Sequence, residues 1–200
     1  SSTVALSRSI SEQAGPLVLG FSVYTAAGLL LMAANILLKK RLYLPGKYLP
    51  FTFTRGALFL FYTLSLYLAL GWAVGRLQTV EIGLLNYLWP SLTLMLSLPI
   101  LGKRANAWLA AGTILGLGGI FLVLTQGSAV TPASFVAHIR SNPLSYGLGT
   151  LAAVAWAAYS NLTGRWKEGA SDWEMPLFML ATGFVFGLAA VFQEQQIAGG

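Results

Sequence analysis

The sequence predicts an all-α polytopic membrane protein, a bundle of apolar helices joined by short polar turns. Three observations carry this. Hydrophobic residues make up 56% of the 200-residue chain and charged residues only 9%, with a mean hydropathy of +0.70; a soluble domain keeps about a quarter of its residues charged. Apolar runs of about 20 residues, the length that crosses a bilayer, recur along the chain. The basic residues gather in short clusters between those runs.

The elements follow in order. Residues 1–14 hold too few apolar positions to span and read as the second half of a spanning helix, so the chain is expected to be part of a longer one. Complete spans are predicted at about 17–38, opened by Pro16, then at 51–74, 80–101, 106–125 and 144–163. A sixth, about 175–193, follows Pro176, a residue suited to a helix's first turn. The connection 126–143 is the only long one. Its Phe135, Val136 and Ile139 spacing predicts a short interfacial helix, with little functional role expected.

Lys39, Lys40, Arg41 and Lys47 share one loop, with Arg55 just inside the next span. Lys103 and Arg104 occupy another loop, and Arg165 and Lys167 a third. Only Arg8, Arg76 and Arg140 fall on the opposite side. Such a bias places the clusters at the cytoplasmic face, with the spans alternating in direction. Small-xxx-small pairs, Gly71 with Gly75, Gly112 with Gly116 and Gly183 with Gly187, permit close helix approach in lipid.

Composition also excludes. The net charge of +6 forms no patch with interleaved polar surface, so no nucleic-acid partner is expected. Without cysteine there is no thiolate nucleophile and no sulfur-ligated metal, and His138, the single histidine, makes no metal site by itself. No Ser/His/Asp set or phosphate loop points to an enzyme, and no cofactor is expected. The acidic residues Glu12, Glu81, Glu168, Asp172, Glu174 and Glu194 all read as lying at span ends or in loops, which disfavours a mid-membrane carboxylate as a proton site.

The chemistry concentrates in the third span. Pro90 lacks an N–H, so the carbonyl of Asn86 loses its usual helical donor. In hydrocarbon a freed polar group is tolerated only against protein or a water-filled cavity. Gly83, Asn86, Pro90, Thr93 and Ser97 share a helical stripe bordered by Trp89 and Tyr87. The span at 144–163 carries a comparable stripe of small and polar residues with Trp156 at its margin. In the earlier spans Tyr24, Thr25, Gly28 and Asn35 align, as do Thr52, Gly56, Thr63 and Tyr67. A neutral cavity lined by rings and hydroxyls suits a small amphipathic or zwitterionic ligand with an aromatic body. The alternative from the residues alone is a non-transporting membrane scaffold whose small-residue faces only pack helices.

The run Glu81 to Thr93 (EIGLLNYLWPSLT), with Asn142-Pro143-Leu144-Ser145-Tyr146 and Ala155-Trp156-Ala157-Ala158-Tyr159, closely resembles the YddG-type aromatic amino acid exporters. These belong to the drug/metabolite transporter superfamily and carry the EamA domain. The resemblance implies a multi-pass carrier of the bacterial inner membrane that exports tryptophan, phenylalanine and tyrosine, or a broader range of drugs and metabolites. It implies ten helices in two inverted repeats of five around a central cavity; alternating access is the expected mechanism, and a monomer the expected state. On that comparison residues 1–127 form the first repeat from the end of helix 1 to helix 5, 128–143 a periplasmic linker, and 144–200 the start of the second repeat. A faint echo of Val4 to Arg8 in Ser160 to Arg165 fits such an inversion. The comparison places Tyr87, Trp89, Pro90 and Trp156 at the substrate cavity; the stripe argument adds Asn86 and Tyr67.

Overall fold

A computed structural model describes residues 2–40, 49–104, 106–125, 130–166 and 171–198; within its helices the side chains of 2–14, 109–110, 120, 123–125 and 194–198 are outside the description. Among the described residues eight helices follow in order: α1 (Ser2–Leu37), α2 (Leu49–Gly71), α3 (Gly75–Asn86), α4 (Trp89–Leu101), α5 (Ala107–Thr125), α6 (Pro132–Ser141), α7 (Pro143–Arg165) and α8 (Glu174–Ala198). Among the described residues, Gly15–Leu37, Leu49–Gly71, Gly75–Leu101 and Glu174–Gln193 are each long and apolar enough to cross a membrane. The helices α5 and α7 occupy the predicted spans at 106–125 and 144–163. The basic residues Arg41, Lys47 and Lys167, and the linker's first two positions, lie outside the described residues.

The half-helix at the start is continuous with the first span except at Gly15, whose φ of 75° and ψ of 165° break the helical run just before Pro16. Only glycine adopts that conformation without strain. The third predicted span begins earlier than expected, at Gly75, and is two helices: α3 and α4 meet at Tyr87 and Leu88.

The chain divides into two compact units, one of residues 1–60 and 168–200, the other of 61–167. In the first, α1 packs along α8. A Cβ on Gly183 would stand 2.5 Å from Thr25 Oγ1 and 2.9 Å from its backbone nitrogen, so only glycine lets the two helices come this close. Tyr24 stacks on Phe186 at 5.9 Å and meets Phe59 edge-on at 6.1 Å. Where α8 begins, Glu174 accepts from Arg55 Nη2 at 2.6 Å and from Thr52 Oγ1 at 2.7 Å, with Arg55 itself buried. Nearby, Asp172 pairs with Lys40 at 3.0 Å, and its carbonyl accepts from Asn35 Nδ2 at 2.8 Å.

In the second unit α7 is the spine against which α3, α4 and α6 pack. Small residues make this possible: Ala152, Ala153 and Ala157 are fully buried, and a Cβ on Gly149 would press on Ile82 at 3.0 Å. Asn161 fastens α7 to α4, its Nδ2 donating to the Thr93 carbonyl at 2.9 Å and to the Ala157 carbonyl in its own helix at the same distance. At the other end Asn142 caps α7 by accepting from Ser145 N–H at 3.4 Å. It also donates to the Trp72 carbonyl at 2.8 Å and to Gln78 Oε1 at 3.0 Å.

Candidate functional site

The break between α3 and α4 follows from the proline. Tyr87 N–H still reaches the Gly83 carbonyl at 2.9 Å, but Leu88 N–H bonds to Leu85 at 3.1 Å, a tightening by one residue, before Leu92 N–H resumes on Leu88 at 3.0 Å. Pro90 is the second residue of α4 and offers no donor to the Asn86 carbonyl. Thr93 Oγ1 bonds back to the Trp89 carbonyl at 2.7 Å, the kind of side-chain bond that bends helices.

On the α7 side of this break four half-buried rings gather. Trp156 is the hub: Tyr62 lies 4.6 Å from it by ring centroids, Tyr159 5.3 Å, and Trp89 6.3 Å in an edge-to-face arrangement at 80°. Tyr62 in turn has the Asn86 side chain as a hydrogen-bonding neighbour and Tyr87 and Tyr67 as electrostatic neighbours. The Asn86 Oδ1 is buried and has no hydrogen-bond partner among the described residues. A buried acceptor left open costs about 1–3 kcal/mol, and a donor from water or a ligand would remove that cost.

The six residues expected at the site are therefore only partly together. Trp89, Trp156 and Asn86 share the ring cluster, and Tyr67 lies at its edge. Tyr87 and Pro90 instead line crevices towards α5: Tyr87, 46% exposed, borders one of about 450 Å³ with Phe121 and Phe135, and Pro90 one of about 300 Å³ with Trp108 and Gly112. Tyr87 thus borders the crevice with Phe121 and Phe135, while Trp89 meets Trp156. Tyr62 and Tyr159 join the cluster beyond the residues expected from sequence. Tyr159 stands three residues after Trp156, the spacing that puts both rings on one helix face. Tyr62 lies off the stripe of Thr52, Gly56, Thr63 and Tyr67.

One expectation is corrected. Glu81 is not at a span end: it is the seventh residue of α3, fully buried, and accepts from the Tyr146 hydroxyl, from His138 Nδ1 at 2.9 Å and from Ser134 Oγ at 3.3 Å. Both His138 and Ser134 belong to α6, the short helix of the 126–143 connection. Polar partners on two other elements make burial of the carboxylate possible, and such partners leave no sequence periodicity.

The profile of the EamA-like transporter family matches residues 1–125. The chain is 34% identical over 182 residues to the aromatic amino acid exporter YddG of Salmonella typhimurium (strain 14028s / SGSC 2262), covering 91% of this chain and 60% of that protein. It is 33% identical over 183 residues to the exporter YddG of Escherichia coli (strain K12), covering 92% and 60%. A crystal structure of a protein at 26% identity superposes with a TM-score of 0.72, over 95% of this chain and 62% of the other. The chain thus spans about 60% of the length of the curated relatives it matches. With its apolar spans, its kinked Gly75–Leu101 segment and these matches, the chain is a multi-pass membrane protein that belongs to the EamA-like transporter family.

Proposed function

We propose that the protein of which this chain forms part exports aromatic amino acids across the bacterial inner membrane by alternating access, and that the Trp156 ring cluster receives the substrate ring. The observation that carries this reading is the juxtaposition of four stackable rings with the open Asn86 Oδ1. A ring pair contributes about 0.5–1.5 kcal/mol beyond its area burial, and Asn86 Oδ1 or its backbone carbonyl accepts the substrate ammonium or an indole N–H. Two relatives named as aromatic amino acid exporters support the substrate class.

In this reading residues 1–127 form the first repeat and 144–200 begin the second. The break at Tyr87–Leu88 serves as the hinge, because few backbone hydrogen bonds have to change there. Trp89 and Trp156 hold the ring, Asn86 orients the polar end, Tyr67 borders the path, and Tyr87 and Pro90 shape the helix from its other side. Counterflow in proteoliposomes of the natural full-length protein tests it. Labelled tryptophan should exchange against tryptophan, phenylalanine and tyrosine and not against leucine. Equal exchange with aliphatic amino acids or unrelated drugs would favour a broad-specificity exporter, and absence of any flux a packing scaffold.

A further inference from the structure

The helix α6 is ten residues long, and a helix that short is marginal by itself in water. Its start is closed by a capping box: Thr131 Oγ1 accepts from Ser134 N–H at 3.0 Å, and Ser134 Oγ accepts from Thr131 N–H at 2.9 Å. Its place in the fold is set by two fastenings. One is apolar, the Phe135 ring standing edge-on to Tyr146 at 5.7 Å. The other is polar and converges on one carboxylate: Ser134 on Glu81 Oε1, His138 on Glu81 Oε2. Glu81 is fully buried while the His138 side chain is 27% exposed, so the polar fastening reaches from the interior towards the outside. The remaining charges on the elements packed here, Arg76 on α3, Arg140 on α6 and Arg165 at the far end of α7, are exposed.

Packing alone would hold α6 at lower cost, because a buried charged group is seldom more stabilising than a well-packed apolar one. A carboxylate within a membrane segment is by default a functional residue. What α6 borders supplies the function. With Phe135 and Val136 it walls the crevice of about 450 Å³ whose opposite side is Leu84, Leu88 and Tyr87, at the break itself.

We propose that Glu81 is a positioning residue, the latch of a movable wall: its bonds to His138 and Ser134 hold α6 closed against α3, and their joint release widens the crevice towards Tyr87. Both bonds end on one side chain, so loss of that carboxylate releases α6 from both at once. The inference rests on the transport reading only for its consequence, passage of substrate; the latch itself is read separately.

The 200 residues contain no cysteine, so thiols can be placed at chosen points. In the natural full-length protein, Leu84→Cys on the crevice wall is modified with a water-soluble maleimide. Adding Glu81→Gln or His138→Leu should raise the modification rate about tenfold, the shift that losing one charge-assisted hydrogen bond gives an open–closed equilibrium. In a second experiment Glu81→Cys/His138→Cys is bridged by a short reducible bis-thiosulfonate. Tryptophan flux should fall at least about tenfold relative to the unbridged variant and return on reduction. Unchanged modification in both latch variants, or full flux through the bridged protein, overturns the proposal. If Glu81→Gln fails to fold, His138→Leu alone decides the first experiment, since that side chain is partly exposed. Absence of flux in the parent overturns the transport reading instead, and the maleimide rates still decide the latch.

Discussion

The indole rings of Trp89 and Trp156 meet edge to face, 6.3 Å apart at 80°, across the contact between α4 and α7. The edge-to-face pair leaves ring faces for a third aromatic body, and Tyr62 and Tyr159 border the same hub. Trp156→Ala removes three ring contacts at once. It should weaken binding of tryptophan at least about tenfold, whereas Trp156→Phe, keeping a ring, should stay within about threefold. Calorimetric titration in detergent measures both; equal losses would mean the ring is not the recognition element.

Pro90→Ala restores a donor four residues after Asn86. The α3–α4 break should then straighten, with thermal stability unchanged or raised, because proline costs up to about 3 kcal/mol inside a helix and less in its first turn, where it stands here. Transport should fall severalfold. A variant that is both more stable and as fast as the parent would remove the hinge from the mechanism.

Arg55 and Glu174 form a buried ion pair at 2.6 Å. Glu174→Ala removes the carboxylate from a buried guanidinium and should cost about 1.5–3 kcal/mol, the worth of a hydrogen bond to a charged group, while the double change Arg55→Met/Glu174→Met should recover most of that loss. Thermal denaturation of the parent, Arg55→Met, Glu174→Met and the double variant in detergent gives the comparison, and additive losses would contradict the pairing.

The same sequence motif should behave oppositely in two helices. Gly183→Ala drives a Cβ into Thr25, including its backbone, and should destabilise by about 1–3 kcal/mol. Gly112→Ala meets nothing within 4 Å and should be neutral or slightly stabilising, since alanine is the better helix former. Melting temperatures of both variants check this.

Much of the architecture was legible in one dimension. Apolar runs near 20 residues, Pro16 just after the Gly15 break inside α1, Pro176 in the first turn of α8, and the Phe135–Ile139 spacing each act through local physics, so they mark the spans of α1 and α8 and the helix α6. The break near residue 90 was equally legible, because a missing N–H is a covalent fact. The ring cluster was only half legible. Trp89 and Trp156 are marked by their neighbours in sequence, but Tyr62 joins them only through its 4.6 Å ring contact with Trp156.

The amino-acid order alone determined that this chain crosses a membrane, where its helices bend, and that rings surround the bend, because hydropathy, charge clusters and proline chemistry are properties of neighbours in sequence. Tertiary structure alone decided which side of the kinked helix each ring occupies and that Glu81 is buried rather than terminal. The physical reason is that a carboxylate can leave water only where donors converge on it, and its donors Ser134, His138 and Tyr146 lie 53, 57 and 65 residues further along the chain.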